Sequence, residues 1–111
     1  MTAPTAPDQE LIVRYAREGD ELAFRQIVER HVNLVYGTAL RQVGDTATAQ
    51  DITQNVFVAL ARKAPRLAGH ATIAGWLHRT ALLEAKARVR AEMRRHRREE
   101  IAAEVQALKE T

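Results

Sequence analysis

Apolar residues recur every three or four positions along most of the chain, the spacing that places them on one face of an α-helix. In the first such stretch, Leu11, Ile12 and Tyr15 follow this spacing. Asp8 precedes them, and aspartate is a preferred residue at a helix N-terminus because its carboxylate accepts a free backbone N–H. The pattern predicts a short first helix that Asp8 caps and that ends near Gly19.

The second stretch is longer and predicts a helix that Asp20 caps. Its predicted inward stripe consists of Leu22, Phe24, Ile27, Val28, His31, Leu34, Val35 and Leu40. Gly37 lies within this helix, and we expect its missing side chain to let a neighbouring helix approach closely.

A third helix is predicted to begin at Asp45 or Thr46, either of which can cap it, and to run to about Lys63. Its inward side is marked at helical intervals by Ile52, Val56, Phe57 and Leu60. Pro65 is expected to stop the helix, because proline has no backbone N–H and its ring clashes with the preceding turn. The chain from 65 to 71 is therefore expected to form a loop.

The last helix is predicted to begin after Thr72, its expected cap. Its apolar side starts with Ile73, Trp76, Leu77, Thr80 and Ala81. From Leu83 onward the sequence is rich in alanine, arginine and glutamate, which all favour helices, so we expect one rod of about 50 Å that reaches Leu108. No stretch has the pattern of a strand. The predicted fold class is all-α, a compact helical bundle of about four helices with a long basic C-terminal helix.

Composition restricts the classes of function. With 111 residues, 46% hydrophobic and 28% charged, the chain has the size and composition of one globular domain. It has no cysteine, and no two of its four histidines stand four residues apart, so we expect no metal site. Glycine-rich phosphate-binding motifs and a nucleophile motif are absent as well. We therefore expect no catalysis, no cofactor and no small-molecule substrate.

The N-terminal residues 1–7 are rich in threonine, alanine and proline, and we expect them to form a disordered tail. They lack the basic-then-apolar pattern of a signal peptide, and no apolar run in the chain approaches the roughly 20 residues that span a bilayer. The sequence therefore predicts a cytoplasmic protein that does not bind membranes.

Positive charge is concentrated in one segment. Between positions 86 and 98 there are seven basic residues and one acidic residue, Glu92, which gives this segment a net charge of +6. The whole chain carries +3. A basic stripe of this density favours a polyanion as its partner.

Two motifs resemble those of a known family. The segment DITQNVF at 51–57 resembles the D-[LI]-x-Q-E-x-F motif of bacterial RNA polymerase sigma factors, and WLHRTA at 76–81 resembles their W-L-[YH]-R-[IV]-A motif. The residues upstream are similar to the opening helices of the extracytoplasmic-function (ECF) group. The resemblance covers residues 8–98 and implies a region 2 domain there, with 99–111 as a charged C-terminal helical extension. Nothing in the sequence resembles the region 4 domain of complete sigma factors, so we expect that domain to be absent from this chain.

The resemblance implies two partners in transcription initiation, core RNA polymerase and promoter DNA. Asp51, Gln54 and Asn55 would bind the coiled coil of the largest-subunit clamp, because carboxylate and amide oxygens accept the forked hydrogen bonds of arginine. Asn55 replaces the family's glutamate. An anti-sigma protein is a further partner that the resemblance allows.

Promoter recognition and opening at the minus-ten element would fall to the loop before the last helix and to that helix. The candidate DNA-binding residues are Arg66, His70, Trp76, Arg79, Lys86, Arg88, Arg90, Arg94 and Arg95. Arginines on phosphates give affinity without sequence preference. Leu67 and Ile73 stand where the family commonly has aromatic residues, and Leu83 where it often has asparagine, so no base preference is carried over.

The same residues also have purely structural interpretations, and the chain has alternative functions. Trp76 and Leu67 can serve the core, and the arginines can form a solvated surface with intrahelical pairs to glutamates. The alternative function is a protein–protein interaction module that self-associates or binds a partner through the long charged C-terminal helix, with Glu99, Glu100, Glu104 and Glu110 facing a basic block. A third possibility is a nucleic-acid binder without sequence preference.

Overall fold

Four α-helices make up nearly all of the part of the chain that the structure, a computed structural model, describes, residues 6–69 and 72–111. They are α1 (Asp8–Glu18), α2 (Glu21–Val43), α3 (Thr46–Leu67) and α4 (Ile73–Glu110). These residues contain no strand, and the predicted all-α bundle is confirmed.

The core lies where α1, α2, α3 and the first third of α4 meet. Its largest fully buried side chains are Leu11, Ile12, Ile27, Val35, Ile52, Val56, Leu60, Ile73 and Leu77. On α4 the buried face continues with Ala81 and Ala85, whose small side chains let this helix pack close to its neighbours. Burial of this apolar surface is the main force that holds the four helices together.

The second half of α4 projects away from the bundle. Every residue from Arg90 onward is exposed, although the helix continues to Glu110. At the helical rise, that projecting part is about 30 Å long. The molecule therefore measures 75 Å along its long axis and only 28 and 20 Å across. The predicted continuous rod is confirmed.

The helix caps agree with the predictions at two of four sites. Asp20 accepts a hydrogen bond from the Ala23 amide at 3.2 Å, and Asp45 accepts one from the Thr48 amide at 2.8 Å. Thr72 occupies the cap position of α4, but its side chain makes no capping hydrogen bond.

The predicted cap of α1 is wrong. Pro7 is the cap residue and Asp8 is the first residue of the helix. The Asp8 carboxylate instead lies 2.9 Å from Arg30 Nη1 and 2.7 Å from His31 Nε2, both on α2. These contacts fasten the start of α1 to α2.

The end of α3 also differs from the prediction. The helix passes through Pro65 and ends at Leu67, and both Ala64 and Leu67, which flank the proline, are buried in the core. Ala68 N–H still donates to the carbonyl oxygen of Ala64 at 3.1 Å. Arg66 therefore belongs to the last turn of α3 rather than to a loop.

The connection from α3 to α4 is anchored to α1. Gly69 adopts a positive φ of 88°, which favours glycine, and its N–H donates to Gln9 Oε1 at 2.7 Å. Residues 60 positions apart in the sequence thus meet at this end of the bundle.

Three details of α2 were wrongly predicted. Leu34 is exposed rather than part of the inward stripe. Leu22 is exposed, since it lies about 140° around the helix from the buried Ile27. A Cβ atom on Gly37 would meet only the Arg41 side chain, at 3.2 Å, so this glycine does not serve close packing with a neighbouring helix.

The cap at Asp45 leads to a stability prediction. Hydrogen bonds from the Thr48 hydroxyl, and then from its amide, lower the pKa of Asp45. A lowered pKa in the folded state means that the carboxylate stabilises the fold above its ordinary pKa and that this contribution is lost as the pH falls through the lowered value. Asp45→Ala should lower the melting temperature by a few degrees at neutral pH, and the difference from wild type should shrink below about pH 4.

Asp45→Asn is the matched control, because asparagine caps helices as well as aspartate does but does not titrate. Its melting temperature should stay near that of the wild type at neutral pH. Equal melting temperatures of the wild type and Asp45→Ala at neutral pH, measured by circular dichroism, would contradict a stabilising cap.

Candidate protein-binding and nucleic-acid-binding faces

The three residues predicted to bind polymerase lie together on the outer side of α3. Asp51, Gln54 and Asn55 are all exposed, and their spacing of three and four residues places them within about 100° of arc. Asp51 projects opposite to Leu60, which is fully buried in the core. The arrangement leaves one carboxylate and two amide groups available to a partner.

Asp51 has a neighbour on another helix. Its carboxylate forms an ion pair with the guanidinium of Arg88 on α4, and the two side chains are 53% and 38% exposed. An ion pair this open to water contributes about 0.2–1 kcal/mol, so a binding partner can displace it at little cost. The pair joins a residue predicted to bind polymerase to one predicted to bind DNA.

An apolar groove runs beside this polar face, between α2 and α3. Its volume is about 620 Å³, and Gln54 lies on its wall. Its apolar lining consists of Phe24, Val28, Val32 and Tyr36 from α2 and Phe57, Val58 and Ala61 from α3. Tyr15 of α1 packs against Phe24, and the centroids of the two rings are 4.7 Å apart. Grooves of this kind accept apolar side chains of a partner helix.

Sequence reasoning missed the groove, although a signal for it was present. Val28, Val32 and Tyr36 recur at intervals of four along α2, beside the fully buried Ile27 and Val35. Two parallel apolar rows make a face wider than one neighbouring helix needs, and the second row lines the groove. Val58, 45% exposed on α3, completes its opposite wall.

The basic residues of α4 divide into two sets that point in different directions. Arg79, Lys86 and Arg90 are exposed and lie within about 40° of arc, since they are separated by seven and four residues. Arg94 continues this row along the projecting part of the helix. We call these four residues the basic stripe. No carboxylate in residues 6–69 or 72–111 forms an ion pair with any of them.

Arg88 and Arg95 belong to the second set. They lie about 20° apart on the side of α4 that continues its buried face. Arg88 pairs with Asp51, and Arg95 pairs with Glu92 one turn earlier. The hydrogen bond with Glu92 raises the pKa of Arg95 above its usual value, and the negative charges of Glu92 and Glu99 contribute to the same shift. Both arginines are thus already partnered within the chain.

Around the α3–α4 connection, the predicted residues have different environments. Arg66 is exposed in the last turn of α3, and Trp76 is half-buried against the core. Leu67 and Ile73 are both buried, which confirms the interpretation of Leu67 as a core residue. His70 lies outside the described residues.

The part of the chain that contains nearly all of both candidate faces matches a known family. Residues 27–95, more than half of the sequence, match the family model described as Sigma-70 region 2. The chain belongs to this family. All residues predicted to bind polymerase or DNA fall within the matched region 2 range, whereas α1 and the last part of α4 lie outside it.

The chain is also similar to curated sigma factors. Over 97 residues, the chain is 33% identical to the RNA polymerase sigma-H factor of Pseudomonas aeruginosa and 34% identical to the ECF RNA polymerase sigma-E factor of Haemophilus influenzae. Each alignment covers 87% of this chain and 50% of the relative. The chain thus spans about half the length of these relatives. No solved structure matches it significantly.

The described part of the chain has neither a cluster of metal ligands nor a membrane-spanning helix. Across 6–69 and 72–111, no group of three or more His, Cys, Asp or Glu side chains is placed to hold a metal ion. Among the helices of that same part, none is sufficiently long and apolar to cross a membrane.

Proposed function

We propose that this chain binds core RNA polymerase and promoter DNA during transcription initiation, as the region 2 domain of an ECF-type sigma factor. It acts in the cytoplasm and catalyses no reaction itself. The observation that carries the proposal is the presence of two chemically different faces on one small bundle. One combines polar groups with an apolar groove on α2 and α3, and the other is the basic stripe of α4.

On the first face, a helix of the polymerase clamp coiled coil inserts its apolar side chains into the groove between α2 and α3. Gln54 on the groove wall, and Asp51 and Asn55 on the same exposed side of α3, accept hydrogen bonds from basic side chains of that helix. Asp51 is the only carboxylate of the three, so it carries the charge-assisted part of the contact. An anti-sigma protein that covered this groove would block polymerase from the domain.

On the second face, the basic stripe neutralises phosphates of the promoter strand. Its four residues have no acidic partner in the described part of the chain, so their full charge is available. Arg66, Trp76 and His70 stand near the start of α4 in the sequence and would meet the same strand at the minus-ten element. Arg88 and Arg95 contribute to DNA binding only after they leave Asp51 and Glu92.

The groove provides a direct test. Val58→Ala removes apolar contact area from its wall, and we expect this variant to bind the isolated clamp coiled coil about three- to tenfold more weakly than the wild type. Calorimetry measures the difference. Stability should change little, because Val58 is partly exposed already.

Val105→Ala is the matched control for this test. Val105 has the same side chain and the same 45% exposure, but it lies on the projecting part of α4. If both variants bind like the wild type, the clamp helix does not occupy the groove.

Self-association through α4 is less well supported. Ile101, Val105 and Leu108 form an exposed apolar row, which favours a helical partner. The same side of the helix continues as Arg94, Arg97 and Arg98, so an antiparallel second copy would place these arginines against the apolar row. A surface of this kind fits a polyanion better than it fits itself.

A further inference from the structure

A large apolar side chain is exposed within the basic stripe. Leu83 lies four residues after Arg79 and three before Lys86, so it shares their side of α4. It is 61% exposed, and it borders a shallow depression of about 450 Å³ together with Thr80, Glu84, Ala87 and Arg88. Neither the core nor the groove uses this residue.

The surroundings of Leu83 determine what it can contact. Cations on both sides of it would hold the phosphates of a bound strand, and this brings the bases of that strand across the leucine. Leucine has no hydrogen-bond donor or acceptor, so it cannot read the polar edge of a base. The apolar group that a standard DNA base presents at its edge is the C5 methyl of thymine.

We propose that Leu83 gives this domain a preference for thymine by packing against the C5 methyl group. This inference rests on the proposed DNA-binding role of the stripe and names the base that the stripe favours. The small Thr80 and Ala87 side chains on the border of the depression leave room for a methyl group beside Leu83, and the ends of the charged Glu84 and Arg88 side chains, which also line it, form its polar part.

Oligonucleotides that differ only in this methyl group test the proposal. Fluorescence anisotropy compares binding of the full chain to oligodeoxythymidine and oligodeoxyuridine of about 12 nucleotides. Burial of one methyl group corresponds to about a fourfold change in the binding constant. The wild type should bind the thymine strand about fourfold more tightly, whereas Leu83→Ala should bind both strands equally.

Two controls separate a role in base preference from a general loss of structure. Leu22→Ala removes a leucine of similar exposure, 66%, from α2 and should keep the thymine preference of the wild type. Leu83→Ala should also keep the wild-type dependence of binding on salt concentration, because that dependence reports the phosphate contacts.

Each remaining result overturns the inference. Equal binding of the two strands by the wild type, with a steep salt dependence, would remove the thymine preference and leave the DNA-binding role in place. A preference that persists in Leu83→Ala would assign it to another residue. No binding of either strand by the wild type would remove the DNA-binding role and the inference together.

Discussion

Asp51→Lys is expected to weaken binding of this domain to the clamp coiled coil by at least about 30-fold, or about 2 kcal/mol. The substitution removes the only carboxylate among the three residues proposed to bind polymerase, and it also places a positive charge opposite the basic side chains that the carboxylate would bind. A lost charge-assisted hydrogen bond and a new like-charge contact act in the same direction. Calorimetric titration of the coiled coil into each variant measures the change.

The fold should survive this substitution. Asp51 is exposed on α3, and its ion pair with Arg88 contributes at most about 1 kcal/mol. A thermal melt close to that of the wild type therefore accompanies the loss of binding.

Glu104→Lys is the matched control for charge. It makes the same change from acid to base at an exposed position on the projecting part of α4, far along the chain from the groove. We expect it to bind the coiled coil like the wild type. Unchanged binding by a folded Asp51→Lys domain would refute the assignment of this face to polymerase.

The pattern of apolar residues was sufficient to predict the four helices, because a buried face must recur at the helical period whatever its neighbour is. It was also sufficient for Asp20 and Asp45, whose caps depend on residues only three positions away. Asp8 has the same sequence signal but makes its contacts with α2, a neighbour that no local pattern reveals. Pro65 was misread for a similar reason, since burial of Leu67 extends α3 beyond the proline.

The candidate site follows the same division between local and tertiary information. Motif spacing placed Asp51, Gln54 and Asn55 on one exposed side of α3. The directions of the arginines were not predicted. A run of basic residues shows which helix is basic, but it does not show which side of that helix a neighbouring helix covers. Arg88 and Arg90 are two positions apart and point about 160° apart, and only the packing of α3 against α4 decides which one forms an ion pair with a carboxylate.

This difference in direction leads to the second large effect, on DNA binding. We expect Lys86→Gln combined with Arg90→Gln to weaken binding to a single strand by roughly 60-fold at about 50 mM salt, and by about tenfold at about 200 mM. Each lost phosphate contact lowers the slope of log K against log salt by about 0.7 on single strands, so the deficit shrinks as salt rises. Anisotropy titrations across this salt range measure both the affinity and the slope.

Arg88→Gln combined with Arg95→Gln removes the same charge from the same helix and is the decisive comparison. Both arginines already have carboxylate partners and lie on the other side of α4, so their loss should cost much less affinity and leave the slope nearly unchanged. If instead the two double variants lose affinity and slope equally, the helix acts as a diffuse cloud of positive charge. Equal losses would therefore refute a basic stripe that binds DNA from one side of α4, and with it the placement of bases across Leu83. Unequal losses would identify the side of α4 that faces the DNA strand.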